Sequence, residues 1–138
     1  RKLVRTYYYN SRVRIEDGKK QYEDQQKFFL KLETLPYFTV RYGRLEKRPR
    51  GGVVEKGVDV KIAVDMLQLA YSNVYDTAIL VSGDGDFAYA IEAVKDLGKH
   101  VEVAYFWARS FHLQKACDKF ISLTKDYLKE CIIKLEKR

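Results

Sequence analysis

The chain has little of the residue types that mark special classes of protein. Its 138 residues include two cysteines, two prolines, one methionine and one tryptophan. Cys117 and Cys131 are too few for a disulfide framework or a Cys-based zinc site, and we expect both to be small buried side chains. Two prolines and eight glycines exclude a low-complexity or fibrous chain. The apolar content of 46% is enough for the core of one domain, residues 1–138.

Long apolar runs are also absent. No stretch approaches the roughly 20 apolar residues that cross a bilayer, and the chain shows no signal-peptide pattern. We therefore expect a cytoplasmic protein with no membrane partner.

Positive charge is concentrated in the first part of the chain. Residues 1–56 hold 15 Lys and Arg against 7 Asp and Glu, a net charge of +8, and residues 57–138 hold 11 against 12, a net charge of −1. This asymmetry predicts a polyanionic partner, although a basic surface without a partner is the alternative. Lys and Arg contact phosphates without reading sequence. The predicted phosphate contacts, all in or beside the segment 47–56, are Arg41, Arg44, Lys47, Arg48, Arg50 and Lys56.

The apolar pattern predicts strands that alternate with helices. Predicted strands cover residues 3–9, 38–42, 77–81, 100–106 and 119–123, and predicted helices cover residues 22–32, 57–72 and 87–97, with two more that begin at Ser110 and Thr124. Residues 47–56 are predicted to form a flexible loop, and the apolar run 77–81 a strand covered on both faces. The last helix would place Leu128, Cys131, Ile132 and Leu135 on its apolar side. This order predicts an α/β fold with a parallel sheet and helices on both faces.

Two carboxylates follow the buried strand directly. Asp84 and Asp86 occur in Ser-Gly-Asp-Gly-Asp at residues 82–86, at the edge where open sheets place their sites. Carboxylates this close repel each other unless a proton or a cation lies between them. Oxygen ligands suit Mg²⁺ or Mn²⁺, so the turn predicts a metal site. The alternative is that one aspartate only caps the next helix.

The helix 57–72 offers further candidates. Asp59 shares a stripe with Ala63, Met66 and Ala70, so we expect it to point toward the sheet and to bind the same metal, with an aspartate near solvent at the helix start as the alternative. Asp65 shares a polar stripe with Lys61, which predicts either a solvated i,i+4 pair or a further metal ligand.

The remaining polar candidates narrow the chemistry. Ser82 has no obvious His partner, so we expect it to orient a carboxylate or a metal-bound water and not to act as a nucleophile. His100 and His112 stand alone and are predicted to be structural or surface residues. A metal site beside a basic segment fits hydrolysis of phosphodiester bonds. Tyr7, Tyr8, Tyr9 and Tyr42 are predicted to pack in the core, with base stacking as the alternative.

Nearly the whole chain resembles the NYN domains, in their LabA-like branch. The resemblance rests on Lys-Gly-Val-Asp-Val at residues 56–60, Leu-Val-Ser-Gly-Asp-Gly-Asp-Phe at 80–87, and the segments 3–9, 97–103 and 116–121. It implies a PIN-like, Rossmann-like αβα sandwich with a mostly parallel central sheet. It also implies a metal-dependent ribonuclease whose acidic set maps onto Asp59, Asp84 and Asp86, with Asp65 as a further candidate. The implied partner is single-stranded RNA, and a homodimer stays open.

The chain departs from that family at its beginning. The family opens with a central strand that ends in a Phe-Ile-Asp-Gly-x-Asn-like motif and supplies an acidic ligand, whereas this sequence starts at Arg1 without it. We therefore expect a first strand and helix upstream of Arg1. Two alternatives remain to a metal-dependent endoribonuclease. One is a catalytically weak RNA-binding or regulatory module. The other is a phosphatase of the haloacid dehalogenase type, which Ala88 disfavours because that type needs Thr or Val at this position.

Overall fold

The computed structural model describes residues 1–106 and 110–131. Its secondary structure is mixed α/β, with strands and helices in two compact units, Arg1–Asp65 and Met66–Arg138. The strands are β1 Thr6–Ser11, β2 Phe38–Lys47, β3 Val53–Lys56, β4 Thr77–Val81, β5 His100–Tyr105 and β6 Lys119–Ser122. The helices are α1 Lys19–Glu33, α2 Val58–Tyr71, α3 Ala88–Asp96, α4 Phe111–Ala116 and α5 Lys125–Cys131. In the described ranges, no helix is long and apolar enough to cross a membrane.

The first unit is built on a parallel β-α-β arrangement. β1 and β2 pair in parallel, from Thr6 opposite Phe38 to Ser11 opposite Gly43, and α1 connects them. Phe29 of α1 is 2% exposed and packs edge-on against Tyr42 and near Tyr8. Tyr8 and Tyr42 thus pack against a core residue, but both are half-buried and lie at the border of the core.

The predicted flexible loop 47–56 is wrong, because most of it belongs to a β-hairpin. β2 continues to Lys47 and pairs antiparallel with β3, so that Arg44 lies opposite Lys56 and Lys47 lies opposite Val53. The amide of Arg48 donates to the carbonyl of Gly52 and closes the turn. Turn residues such as those at 49–52 occur both in hairpin turns and in flexible loops. Only the pairing of the flanking residues distinguishes the two cases.

Gly43 of β2 lies very close to Val58, the first residue of α2. A Cβ on Gly43 would lie 2.5 Å from Val58 Cγ2 and 2.8 Å from Ser11 Oγ. Glycine is therefore required at this point for steric reasons. Because Gly57 has a φ of +83°, it supplies the turn from β3 into the helix.

The second unit is a three-stranded parallel sheet in the order β4-β5-β6. β5 lies between its neighbours, and its residues Val101 and Val103 are fully buried with Ile91, Val94 and Leu113 of the helices. Gly98 ends α3 with a φ of +77°, and Ser110 caps α4, both as predicted.

Two expectations for the second unit are wrong. Ile79 and Val81 of β4 are 59% and 55% exposed, so this strand is not covered on both faces among the described residues. Ile79 and Val81 project from the same face of the strand, whereas Leu80 projects from the other face and is buried. Cys131 is exposed and not buried. The predicted apolar positions Ile132 and Leu135 of the last helix lie outside the described residues.

Candidate functional site

Residues 82–86, which follow β4, form a turn that we call the acidic turn. The amide of Asp84 donates to Ser82 Oγ over 3.1 Å, and the amide of Asp86 donates to Asp84 Oδ1 over 2.9 Å. Asp84 thereby caps the short 3-10 helix Gly85–Phe87. Asp84 therefore has the capping role given above as the alternative, and it uses one of its two carboxylate oxygens for the cap. Ser82 contacts the backbone of Asp84, and so helps to set the position of that residue.

The acidic turn presents its two carboxylates to solvent at the carboxyl end of β4. Asp84 and Asp86 are both exposed. In residues 1–106 and 110–131, the Asp86 carboxylate has no hydrogen bond or ion pair, and Asp84 uses only Oδ1. Three carboxylate oxygens are therefore free to bind a cation or a hydrogen-bond donor.

Gly85 lets the start of α4 lie against the acidic turn. A Cβ at Gly85 would lie 3.0 Å from Ser110 Oγ and 3.6 Å from the Cβ and Cδ2 of His112. His112 is exposed, as predicted, but its position beside this turn was missed. The glycine between two aspartates was the available signal, since glycine permits a close backbone approach.

Asp59 is exposed, which agrees with the alternative of an aspartate near solvent at the helix start. It lies in the first turn of α2, and its side chain is exposed and without a polar partner within the described ranges. Cα–Cβ bonds tilt toward the beginning of a helix, so a side chain in the first turn projects past the helix end. An exposed carboxylate here also matches the positive end of the helix dipole.

Asp65 forms a cross-strand cluster and not the predicted solvated pair with Lys61. Its side chain is 15% exposed, and its Oδ2 lies 3.0 Å from Arg41 Nε and accepts a 2.7 Å hydrogen bond from the Tyr9 hydroxyl. Burial, followed by this hydrogen bond, raises the pKa of Tyr9 well above its ordinary value. Lys61 instead donates to the carbonyl of Tyr42. The ligand role suggested for Asp65 competes with two strong donors that already bind it.

The six predicted phosphate contacts divide into paired and unpaired side chains. Arg41 pairs with Asp65, Arg44 with Glu46 over 2.8 Å, and Lys47 with Glu16 over 3.6 Å. The unpaired side chains, considering only the part of the chain that the structure describes, are Arg48, Arg50 and Lys56. All six are exposed.

The donor atoms of the acidic turn fit a small divalent cation in type. Mg²⁺ and Mn²⁺ prefer oxygen ligands, and Mg²⁺ usually keeps several waters and binds one or two carboxylates together with substrate phosphates. Over residues 1–106 and 110–131, no three His, Cys, Asp or Glu side chains form a group that could hold a metal ion. Metal binding by Asp84 and Asp86 stays a prediction, and so does the larger set with Asp59.

Comparisons with known proteins give the class to which the fold and the acidic turn belong. Residues 1–124 match the family model described as NYN domain, so the chain belongs to the NYN domain family, which is PIN-like and consists generally of nucleases.

A curated relative places the chain further within this class. It is 33% identical over 129 residues to the low amplitude and bright protein LabA of Synechococcus elongatus (strain ATCC 33912 / PCC 7942 / FACHB-805). The match covers 88% of this chain and 63% of LabA, so the chain spans less than two thirds of that relative. The predicted resemblance to the LabA-like branch of NYN domains is confirmed.

Proposed function

We propose that this domain hydrolyses RNA phosphodiester bonds at the acidic turn. The observation that supports this function best is the exposed pair Asp84 and Asp86, fixed by hydrogen bonds at the carboxyl end of a parallel strand. Sites of parallel α/β sheets form at this edge. Membership of a family of PIN-like nucleases agrees with the chemistry of two adjacent carboxylates.

Asp84 and Asp86 are the proposed protein ligands of Mg²⁺ or Mn²⁺. Such an ion, when bound, activates water and neutralises charge that develops on the phosphate. The chain's own contribution is geometric: Ser82 and the Asp84 cap hold the turn, so that one Asp84 oxygen and both Asp86 oxygens face solvent. Asp59 is the proposed third carboxylate. Its place in this set follows from the family resemblance.

The proposal extends to the arrangement of the whole protein. A three-layer αβα sandwich around one mostly parallel sheet is the arrangement that the family implies. The proposed substrate is single-stranded RNA in the cytoplasm, and the proposed contacts to its phosphates come from among the six exposed basic residues of the first unit. A homodimer remains a prediction.

A catalytically weak RNA-binding or regulatory module is the second candidate. It is favoured by one observation, that the described part of the chain gathers no group of three metal-binding side chains. This candidate predicts RNA binding that does not depend on Asp84 or Asp86 and no cleavage with any divalent cation.

The decisive experiment compares carboxylates at the two ends of β4. Single-stranded RNA is incubated with the chain in Mg²⁺ or Mn²⁺, then in EDTA, and with the variants Asp84→Asn, Asp86→Asn and Asp76→Asn. Asp76 is an exposed aspartate just before β4, so its variant removes the same charge from the other end of the strand. We expect Asp84→Asn and Asp86→Asn to lower cleavage by at least the roughly 10- to 100-fold that even an outer-shell change costs at a metal site.

The control variant Asp76→Asn is expected to cleave like the unmodified chain. Cleavage that persists in EDTA, or that falls equally in all three variants, would contradict the proposed site. Binding without cleavage in either metal would favour the second candidate.

A further inference from the structure

The β2–β3 hairpin holds two positive charges directly opposite each other. Its register pairs Arg44 with Lys56, and directly opposite residues of an antiparallel pair project from the same face. Both side chains are exposed. Like charges in such a pair destabilise a sheet, whereas an opposite charge would stabilise it. The register therefore sets two like charges opposite each other in the free hairpin, and a bound anion would relieve their repulsion.

The excess charge of the hairpin is confined to one face and the turn. The face with Arg44 and Lys56 also contains Glu46 and Val54, a net charge of 2 − 1 = +1. The opposite face contains Leu45, Lys47, Val53 and Glu55, a net charge of 1 − 1 = 0. The turn adds Arg48 and Arg50, so that the hairpin has a net charge of +3, none of it on the second face.

The cations also differ in whether they are already neutralised. Lys47, on the neutral face, pairs with Glu16 of the segment before α1. Lys56, Arg48 and Arg50 have no such partner among the described residues, and Arg44 has only Glu46 beside it on its own strand. An incoming polyanion therefore finds unpaired charge on the first face and at the turn.

We propose that this surface, defined as Arg44, Lys56, Arg48 and Arg50 and called the basic face, binds the phosphate backbone of single-stranded RNA. The choice of RNA rests on the proposed function, while the location of the surface rests on the hairpin register. Contacts of Lys and Arg to phosphates hold the nucleic acid without selecting its sequence. The basic face thus binds the strand, and the acidic turn is not needed for this binding.

Two matched pairs of variants test the location. Lys56→Gln and Lys47→Gln each remove one positive charge from the hairpin, one from each face. Glu46→Gln and Glu55→Gln each remove one negative charge, again one from each face. Affinity for a labelled single-stranded oligouridylate is measured with the full chain in EDTA over a range of salt concentrations, with the RNA checked by gel to be intact.

We expect Lys56→Gln to weaken binding and to make the slope of log affinity against log salt shallower by about 0.7, the contribution of one phosphate contact to a single strand. Lys47→Gln should leave that slope unchanged. Glu46→Gln should strengthen binding more than Glu55→Gln, because Glu46 lies on the same side of the hairpin as Arg44 and Lys56. Equal effects within each pair would overturn the assignment of the face.

A stability measurement gives the basic face a second, independent test. Lys56→Gln should raise the melting temperature of the free chain, because it removes the repulsion from Arg44. Lys47→Gln should not, because it breaks the pair with Glu16. A Lys56→Gln chain that loses both stability and affinity would contradict the proposal.

The outcomes separate this inference from the proposed function. A chain that shows the difference between Lys56→Gln and Lys47→Gln but cleaves no RNA would sink the nuclease and support the basic face. A chain whose cleavage requires Asp84, but which binds RNA equally well in both lysine variants, would sink the basic face alone.

Discussion

Tyr9 donates a 2.7 Å hydrogen bond to Oδ2 of Asp65, and the same oxygen lies 3.0 Å from Arg41 Nε. The three residues come from β1, β2 and α2, so one largely buried carboxylate joins two strands to a helix. A carboxylate removed from water needs such partners. This arrangement makes Asp65 a structural anchor of its unit.

Removal of the Tyr9 hydroxyl should measure the strength of this anchor. We expect Tyr9→Phe to lower the free energy of unfolding by about 1.5–3 kcal/mol, the range for hydrogen bonds to charged groups. Denaturation by urea is the measurement, and a double-mutant cycle with Asp65→Asn isolates the pairwise contribution. Tyr89→Phe is the control, since Tyr89 is 81% exposed. A Tyr9→Phe chain as stable as this control would show that the hydrogen bond is not formed in solution.

A methyl group at position 43 should be poorly tolerated. Gly43→Ala would place its Cβ 2.5 Å from Val58 Cγ2, 2.8 Å from Ser11 Oγ and 3.0 Å from the carbonyl of Lys56. We expect a loss of about 1–3 kcal/mol, the usual range for overpacking. Gly85→Ala is the comparison, because its closest contact is the single hydroxyl of Ser110 at 3.0 Å. A Gly43→Ala chain more stable than Gly85→Ala would contradict the close approach.

Two substitutions at Asp84 should separate its cap from its charge. Asparagine keeps a side-chain oxygen that can accept from the Asp86 amide, whereas alanine removes it. We expect Asp84→Ala to lose about 0.5–2 kcal/mol of stability, the range for helix caps, and Asp84→Asn much less. Both variants should lose RNA cleavage. Cleavage retained in Asp84→Asn but lost in Asp84→Ala would mean that the turn, and not the carboxylate charge, is what matters.

Asp118 should make the second unit sensitive to acid. Its Oδ2 accepts a 2.8 Å hydrogen bond from the Val101 amide, and Lys95 lies 3.2 Å and His100 3.6 Å from its carboxylate. The hydrogen bond from Val101, followed by Lys95, lowers the pKa of Asp118 below its ordinary value. A lowered native-state pKa stabilises the fold above the unfolded-state value, and this stability is lost as pH falls through the native-state pKa.

The test of this prediction is a comparison with Asp118→Asn, which keeps an acceptor for Val101 but has no charge. The unmodified chain should be the more stable at neutral pH, and the difference in unfolding free energy should shrink as the pH falls below about 4. A difference that stays constant through this range would show that the Asp118 charge does not stabilise the native state.

Local signals in the sequence were sufficient for much of the second unit. The continuous apolar run before Ser82, the glycine at position 98 and the cap residue Ser110 each act through neighbours a few residues away. For the same reason the capping role of Asp84 was available as an alternative before the structure. Features that depend on adjacent residues are those that a single sequence specifies most directly.

The two helix carboxylates could not be assigned correctly from a helical stripe. A stripe gives the direction of a side chain around the helix axis, but Asp59 sits in the first turn, where its side chain is exposed. Asp65 is bound by Tyr9 and Arg41, which are 56 and 24 positions away in the chain. Tertiary partners of this kind leave no periodic trace in the sequence around Asp65.

The opposed charges of Arg44 and Lys56 have a consequence for the evolution and engineering of this protein. If stability alone were selected, either Arg44 or Lys56 would be replaced by an acidic or neutral residue, because that change relieves repulsion between the strands. Laboratory evolution toward heat resistance should therefore replace one residue of this pair early. The resulting variants should have a lower affinity for RNA and an intact fold. Selection for heat resistance in the absence of RNA would then identify the residues that are kept for RNA binding.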